Sequence, residues 1–287
     1  HVQRNFTGVK WFIEGDIKGF FDNIDHQIMV SILRKRIKDE YFLGLIWKFL
    51  KAGYLEDWTF HNTYSGTPQG SIISPILSNI YLNEFDKFIE DYIERFKRGK
   101  VRNENAEYKK IISRIGRLRR GKYSPENWVK LSDEEKSTAK SNLKVLYDEL
   151  YKHTRTDPMD GSYRRLVYVR YADDWLCGVI GGKKDAETVK EGIKKFLSEK
   201  LRLELSDQKT LITNAKDKAR FLGYDICAYS DSGFIKDKNG RKMRSRNSKI
   251  KLLVPHEKWQ SKLTDYGALK IKIGEKGKEI YYPFHRA

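Results

Sequence analysis

Three aspartates carry the clearest chemical signal in this chain. Asp173 and Asp174 lie between two β-type apolar runs, Leu166-Val167-Tyr168-Val169-Arg170-Tyr171 and Trp175-Leu176-Cys177-Gly178-Val179-Ile180. Two such runs joined through Ala172, Asp173 and Asp174 read as a tight hairpin with the acids at its tip. Asp16 stands near the end of a third strand-like run, Lys10 to Ile17, in a polar corner that contains Gly15. If that strand lies beside the hairpin, three carboxylates converge. Carboxylates held together repel unless a cation neutralises them. Mg²⁺ suits the task, because it takes hard oxygen ligands and shares its shell with substrate phosphates. Two such ions are what in-line phosphoryl transfer needs: one activates the attacking hydroxyl, the other steadies a triphosphate and its leaving pyrophosphate. An acidic pair on a surface turn is common and proves little alone. The apolar flanks place this pair on a buried hairpin.

The intervening elements must bring those acids together. Asp25 is a suitable N-cap for a helix with Met29, Ile32 and Leu33 inward. A second helix shows a stripe at Phe42, Leu45, Ile46 and Phe49. Residues 53–66 read as a hairpin or loop. Ser74 and Pro75 suit the cap and first turn of a helix that runs to about Ile93, with Leu77, Tyr81, Phe85 and Phe88 along one side. After the acidic hairpin, Asp185 caps a helix whose inward face is Val189, Ile193, Phe196 and Leu197. Leu203 to Ile212 and Arg220 to Ile226 supply short strands. These pieces stack into an α+β layer.

Charge narrows the partners. The chain of 287 residues has 57 basic and 39 acidic side chains, a formal net charge of +18, which points to a polyanion. An anionic membrane is the weaker choice, because no apolar run approaches the ~20 residues that span a bilayer. From Arg95 to Lys122 there are twelve basic residues against Glu104 and Glu107 alone. So one-sided a cluster, including Arg114, Arg117, Arg119 and Arg120, favours nucleic-acid contact over a merely solvated helical face. Helices are expected around Ile111, Ile112 and Ile115, and from Asp133 to Tyr151. The two cysteines, Cys177 and Cys227, lack zinc spacing. Cys177 reads as a buried thiol, which favours a reducing, intracellular compartment.

The motifs then fall into a known order. Asp16-Ile17-Lys18-Gly19-Phe20-Phe21-Asp22, Gly66-Thr67-Pro68-Gln69-Gly70-Ser71 and Tyr171-Ala172-Asp173-Asp174 follow the succession of reverse-transcriptase palm motifs. With the fuller strings DIKGFFDNIDH, GTPQGSIISPILSNIYLNEFD, YVRYADDWL, LSDQKTLIT and ARFLGYDI, about residues 1–230 resemble the group II intron-encoded reverse transcriptases, or intron maturases. The basic insertion before the acidic hairpin is typical of that lineage, and retroviral enzymes lack one of this size there.

The resemblance implies a right-hand polymerase palm, an antiparallel sheet packed on helices, with partial fingers and a basic helical insertion. Residues 1–94 would form the first part of palm and fingers, 95–165 the insertion, 166–230 the rest of the palm, and 231–287 a basic linker toward a thumb. It implies an RNA-directed DNA polymerase that uses two Mg²⁺ ions, an RNA template, a DNA primer and deoxynucleoside triphosphates. It also implies binding of group II intron RNA to assist splicing and mobility, inside a bacterial cytoplasm, with a dimer as one option. Asp16, Asp173 and Asp174 would be catalytic, and together with Ile17 would hold the metals. Phe21 matches a steric gate against the ribose 2′-hydroxyl, and either Phe20 or Phe21 would face the site by strand-like alternation. Gln69 and Gly70 match the template and nucleotide contact, and Lys209 a lysine near the triphosphate. Leu222, Gly223 and Tyr224 match a primer-gripping hairpin. Arg170 is a candidate phosphate contact. The resemblance leads one to expect a fragment that lacks upstream fingers and thumb, and so synthesises weakly. Two alternatives stand beside this reading: an RNA-binding splicing cofactor with a dispensable polymerase, and a retron, diversity-generating or CRISPR-associated reverse transcriptase. Retention of all three acids favours a working site.

Overall fold

A computed structural model describes residues 1–52, 54–56, 59–61, 66–67, 72–157, 160–228, 234–236, 242–244, 249–273 and 279–283. A short helix, α1 (Val2–Asn5), leads into β1 (Trp11–Gly15), a strand buried on both faces. A 3₁₀ turn at Phe20–Asp22 follows. Next come α2 (His26–Arg34) and α3 (Glu40–Lys51), each capped by an aspartate. Asp25 accepts from Ile28 N–H at 2.9 Å, and Asp39 from Phe42 N–H at 3.1 Å. Met29, Ile32 and Leu33 of α2 are buried as expected. The α3 stripe is the expected one only in part: Ile46 is buried and Phe49 packs on the core, but Leu43 and Leu50 complete the inward face, while Phe42 and Leu45 are exposed. This helix is apolar around most of its circumference, so periodicity alone allows two faces, and packing on α2 selects one.

The hairpin β2 (Tyr54–Glu56) and β3 (Thr59–His61) precedes the long α4 (Ser74–Phe96). Ile73, not Ser74, is the cap, and Pro75 sits in the first turn, where its missing N–H costs nothing. Leu77, Tyr81 and Phe85 are fully buried along the core side. The insertion holds α5 (Ala106–Arg120), α6 (Pro125–Lys130) and α7 (Asp133–Leu150). The six-residue α6 is too short to show a period in sequence. Backbone pairing of Arg98 with Arg164 (3.1 and 3.2 Å) closes the insertion's base, and Ile111, Ile115, Leu146 and Leu150 form a small core of its own.

Strands β4 (Arg165–Tyr171) and β5 (Asp174–Ile180) form the expected hairpin, followed by α8 (Lys183–Leu201). Gly182 is the cap of α8. Asp185 lies three residues in, and its carboxylate accepts from Gly182 N–H at 2.8 Å and pairs with Arg164 at 2.6 Å. Val189, Ile193 and Leu197 are fully buried, and half-buried Phe196 stacks on Phe88 at 4.1 Å. Leu203 to Leu211 is mostly loop, pinned to the palm by pairing of Leu205 with Ile17. Then come β6 (Ile212–Asn214), the hairpin β7 (Ala219–Phe221) and β8 (Tyr224–Ala228), and the pair β9 (Phe234–Lys236) and β10 (Lys242–Arg244). The described chain closes with β11 (Ile250–Leu253), α9 (His256–Asp265), and a hairpin of β12 (Leu269–Ile273) and β13 (Glu279–Pro283).

The palm sheet runs β4-β5-β1-β6, antiparallel at every step. Its two faces divide by alternation. Ile13, Trp175, Cys177 and Val179 pack on α2, α4 and α8, the main core. Phe12 and Leu176 point the other way, onto the three-stranded sheet β11-β8-β7, with Ala219, Phe221, Ile226 and Ile250. Each large side chain fully buried here contributes about 1.5–3 kcal/mol. Cys177 is a free thiol that burial pushes far above its ordinary range. Among the described residues no helix is long and apolar enough to cross a membrane.

Candidate active site

The β1–β5 register ends at Gly15 opposite Trp175, so one further step sets Asp16 across from Asp174. That places acids from distant parts of the chain at one sheet end. The close approach depends on a missing side chain: a Cβ on Gly15 would lie 1.8 Å from the Trp175 ring. Trp175 is 1 % exposed and wedged against Phe85 at 5.8 Å, so it has no room to yield. Asp16, Asp173 and Asp174 are all half-buried. The Asp174 carboxyl is pushed above the usual range by burial, then by the charges of Asp173 and Asp16, with Lys209 opposing. Lys209 Nζ stands 3.2 Å from Asp16 Oδ2, so this exposed lysine reaches the acids. Among the described residues, no three Asp, Glu, His or Cys side chains are close enough together to hold a metal ion. Asp173 and Asp16 repel the charge on Asp174, and the Lys209 ammonium opposes them. A repelling, half-buried set of hard oxygen donors is chemistry that fits a divalent cation. Ile17 is different: its side chain is buried in the core, so its backbone carbonyl is the one oxygen it has to offer.

The acidic turn is braced from behind. Tyr171 pairs with Asp174, leaving Ala172 and Asp173 as the two linking residues, and Ala172 has φ of +53°. Arg170 Nη1 donates to the Ala172 carbonyl at 2.8 Å and to Asn79 Oδ1 at 3.1 Å. Its Nε and Nη2 grip both oxygens of Asp86 on α4, at 2.8 and 2.6 Å, and Tyr168 Oη donates to Asp86 at 2.8 Å. Burial works against the guanidinium's charge, yet Asp86 more than offsets it and holds Arg170 more firmly protonated. The expected phosphate contact for Arg170 is therefore corrected: its side chain, 11 % exposed, is spent on Asp86 and on the turn.

Phe20 is buried, and Phe21 is half-buried with part of its ring packed on the main core, so Phe21 is the more accessible of the two. The reason is the 3₁₀ turn, not strand alternation. Gly66 and Thr67 are fastened beside it: Thr67 N–H donates to the Phe21 carbonyl and Gly66 N–H to the Ile24 carbonyl, both at 2.8 Å. Gly66 has φ of +88°, and a Cβ there would lie 2.4 Å from the Phe21 carbonyl oxygen, so only glycine fits. Gln69 and Gly70 fall outside the described residues. Leu222 and Gly223 link β7 to β8 with φ of +49° and +75°, and Leu222 and Tyr224 are exposed. On α5, Arg119 lies 5.5 Å from the Tyr147 ring and Arg120 Nε donates to the Gly116 carbonyl at 3.3 Å. Arg114 and Arg117 carry no ion pair among the described residues. Sequence reasoning misses Asp86 and Glu14. Glu14 does carry a signal, as a lone charge within an apolar strand.

Comparison with known proteins identifies the family. The family described as "Reverse transcriptase (RNA-dependent DNA polymerase)" matches residues 1–105. The chain is 42% identical over 288 residues to the group II intron-encoded protein LtrA of Lactococcus lactis subsp. cremoris, covering 99% of this chain and 45% of that protein. It is 37% identical to the putative COX1/OXI3 intron 1 protein of Saccharomyces cerevisiae, over 86% of this chain and 28% of that one. Protein YkfC of Escherichia coli is 30% identical, over 93% of this chain and 57% of its own. The chain thus spans less than two thirds of the length of each of these relatives. On its ordered motifs, its antiparallel palm and these relatives, it belongs to the group II intron-encoded reverse transcriptase family.

Proposed function

We propose that this chain carries the nucleotidyl-transfer centre of an RNA-directed DNA polymerase, with RNA template, DNA primer and deoxynucleoside triphosphate as its substrates. The observation that carries the reading is the register that brings Asp16 opposite Asp174, with Asp173 beside them and Lys209 on Asp16. Asp16, Asp173, Asp174 and the Ile17 carbonyl are the groups that would hold two Mg²⁺ ions. Bound there, the ions would supply charge neutralisation for the attacking 3′-hydroxyl and the leaving pyrophosphate. The protein's own part is to aim and to exclude. Arg170 keeps the acidic turn fixed through the Ala172 carbonyl. Lys209, exposed and already at the carboxylates, is placed to neutralise a triphosphate. Phe21 presents an aromatic face where a ribose 2′-hydroxyl would sit, with Gln69 and Gly70 next along the chain from the fastened Gly66-Thr67. Leu222, Gly223 and Tyr224 offer a turn that can press on the primer's sugar and backbone. The test is single-nucleotide addition to a DNA primer on an RNA template by the full-length protein with Mg²⁺. Extension with deoxynucleotides that a chelator abolishes supports the reading, as does ribonucleotide incorporation gained in Phe21→Ala. A full-length protein that adds nothing overturns it.

The insertion supports a second role in the same protein, binding of intron RNA that assists splicing. Arg114 and Arg117 stand on a helix of high positive charge without acidic partners among the described residues. Replacing both by alanine is expected to weaken RNA binding and to flatten its salt dependence by about 0.7–0.9 for each phosphate no longer neutralised. An unchanged slope would make them plain solvated cations.

A further inference from the structure

Glu14 lies two residues before Asp16 and is 9 % exposed. Its backbone already completes the palm sheet, with N–H to the Leu211 carbonyl at 3.0 Å and carbonyl to Leu211 N–H at 3.2 Å. The side chain does something else. Thr213 Oγ1 on β6 donates to Oε1, and the backbone N–H of Arg220 on β7 donates to Oε2 at 2.7 Å. One carboxylate therefore joins β1, β6 and β7, and β7 belongs to the other sheet. The other contacts between those layers are the apolar set of Phe12 and Leu176 against Ala219, Phe221 and Ile226, and one backbone bond, Ala228 N–H to the carbonyl of Ala215 just past β6. Apolar contact sets a spacing but is non-directional, and the Ala228 bond lies at the end of β8 away from the Leu222-Gly223 turn, so neither fixes the hairpin next to that turn. A charge-assisted hydrogen bond to one backbone N–H fixes the register. Beyond Arg220 the tie continues: its guanidinium pairs with Asp225 of β8 and Glu257 of α9, both at 2.8 Å.

We propose that Glu14 is a positioning residue that fixes the Leu222-Gly223 turn relative to Asp16, and so sets where a primer end held by that turn meets the carboxylates. This rests on the polymerase reading and on that turn as the primer's contact. The geometry makes a chemical distinction. A glutamine keeps both contacts, because its amide oxygen accepts from Arg220 N–H and its amide nitrogen donates to Thr213 Oγ1. A leucine keeps the bulk and loses both. A valine at Thr213 removes one donor only.

Burst kinetics of single-nucleotide addition by the full-length protein, on an RNA template with a DNA primer and Mg²⁺, separate positioning from folding. A positioning role predicts that Glu14→Leu lowers the burst rate constant by about tenfold or more, since small misplacement is costly to an oriented reaction, while the burst amplitude per folded protein stays near the parent's. Glu14→Gln stays within about twofold and Thr213→Val falls between, in line with how many hydrogen bonds each retains. If Glu14→Leu folds poorly, the ranking of Thr213→Val below the parent and Glu14→Gln near it tests the same point. A reduced amplitude with an unchanged rate constant would show a structural role only and overturn the proposal. So would unchanged rate constants in all three variants beside an active parent. A parent that adds no nucleotide would contradict the polymerase reading itself, and this inference with it.

Discussion

Ala172 and Asp173 join β4 to β5 much as Leu222 and Gly223 join β7 to β8, two residues apiece between antiparallel strands. In both turns the first linking residue has positive φ without being glycine, at +53° and +49°. A side chain in that region costs about 1–2 kcal/mol relative to ordinary backbone. The turns differ in what holds them there. Arg170 reaches the Ala172 carbonyl directly and is anchored to Asp86 of α4, so the acidic turn is braced by a side chain behind it. The second turn is held through its base, where Glu14 takes the Arg220 N–H. The tips explain the difference. One presents a pair of carboxylates that repel and must be aimed within a fraction of an ångström. The other presents Leu222 and Tyr224, whose apolar faces need a fixed height and tolerate some freedom. Strain retained at two turns that present candidate functional groups fits a role in which geometry matters more than stability.

This contrast can be broken most severely at Arg170. Arg170→Ala leaves the half-buried Asp86 carboxylate with only the Tyr168 hydroxyl and frees the Ala172 carbonyl. It should cost about 2–4 kcal/mol, read as a lower urea midpoint, together with most of the extension activity. Arg220→Ala, which strips a more exposed guanidinium and leaves the Glu14 bond to the backbone intact, should move the midpoint less. Equal losses would mean that the two turns are held alike. A smaller effect sharpens the comparison. Ala172→Gly and Leu222→Gly each relieve positive φ and should raise stability by about 0.5–1 kcal/mol, close to 2 °C in Tm. Only Leu222→Gly should also weaken primer–template affinity, because it alone removes an exposed apolar surface. Matching affinities in the two variants would detach Leu222 from the primer.

Much of this can be read in the sequence, for physical reasons that differ by residue. The acidic hairpin is legible because period-two apolar runs flank two linking residues, and Asp25 because a cap is a local hydrogen bond. The Asp16 placement follows once β1 is read as a neighbour strand. The inward face of α3 is legible only in part, since an apolar stripe on either side satisfies the same spacing. Phe21 is the more accessible of the two phenylalanines, but a 3₁₀ turn makes it so and strand alternation does not. Arg170 and Glu14 are beyond sequence reasoning because their partners, Asp86 and Arg220, lie 84 and 206 residues away. A charge within an apolar strand marks that a partner is needed without saying where it is.

The acids at the end of β1 and at the β4–β5 turn are proposed to perform nucleotidyl transfer on an RNA template. Single-turnover addition of one deoxynucleotide to a DNA primer, with Mg²⁺ and the full-length protein, tests it most directly when parent and Asp173→Ala are compared at matched folded fraction. A loss of about a thousandfold or more is expected in the variant, since a ligand of a catalytic metal would act in the transition state, with an unfolding midpoint at or above the parent's because a repelling charge is gone. Extension by Asp173→Ala at the parent's rate would contradict it.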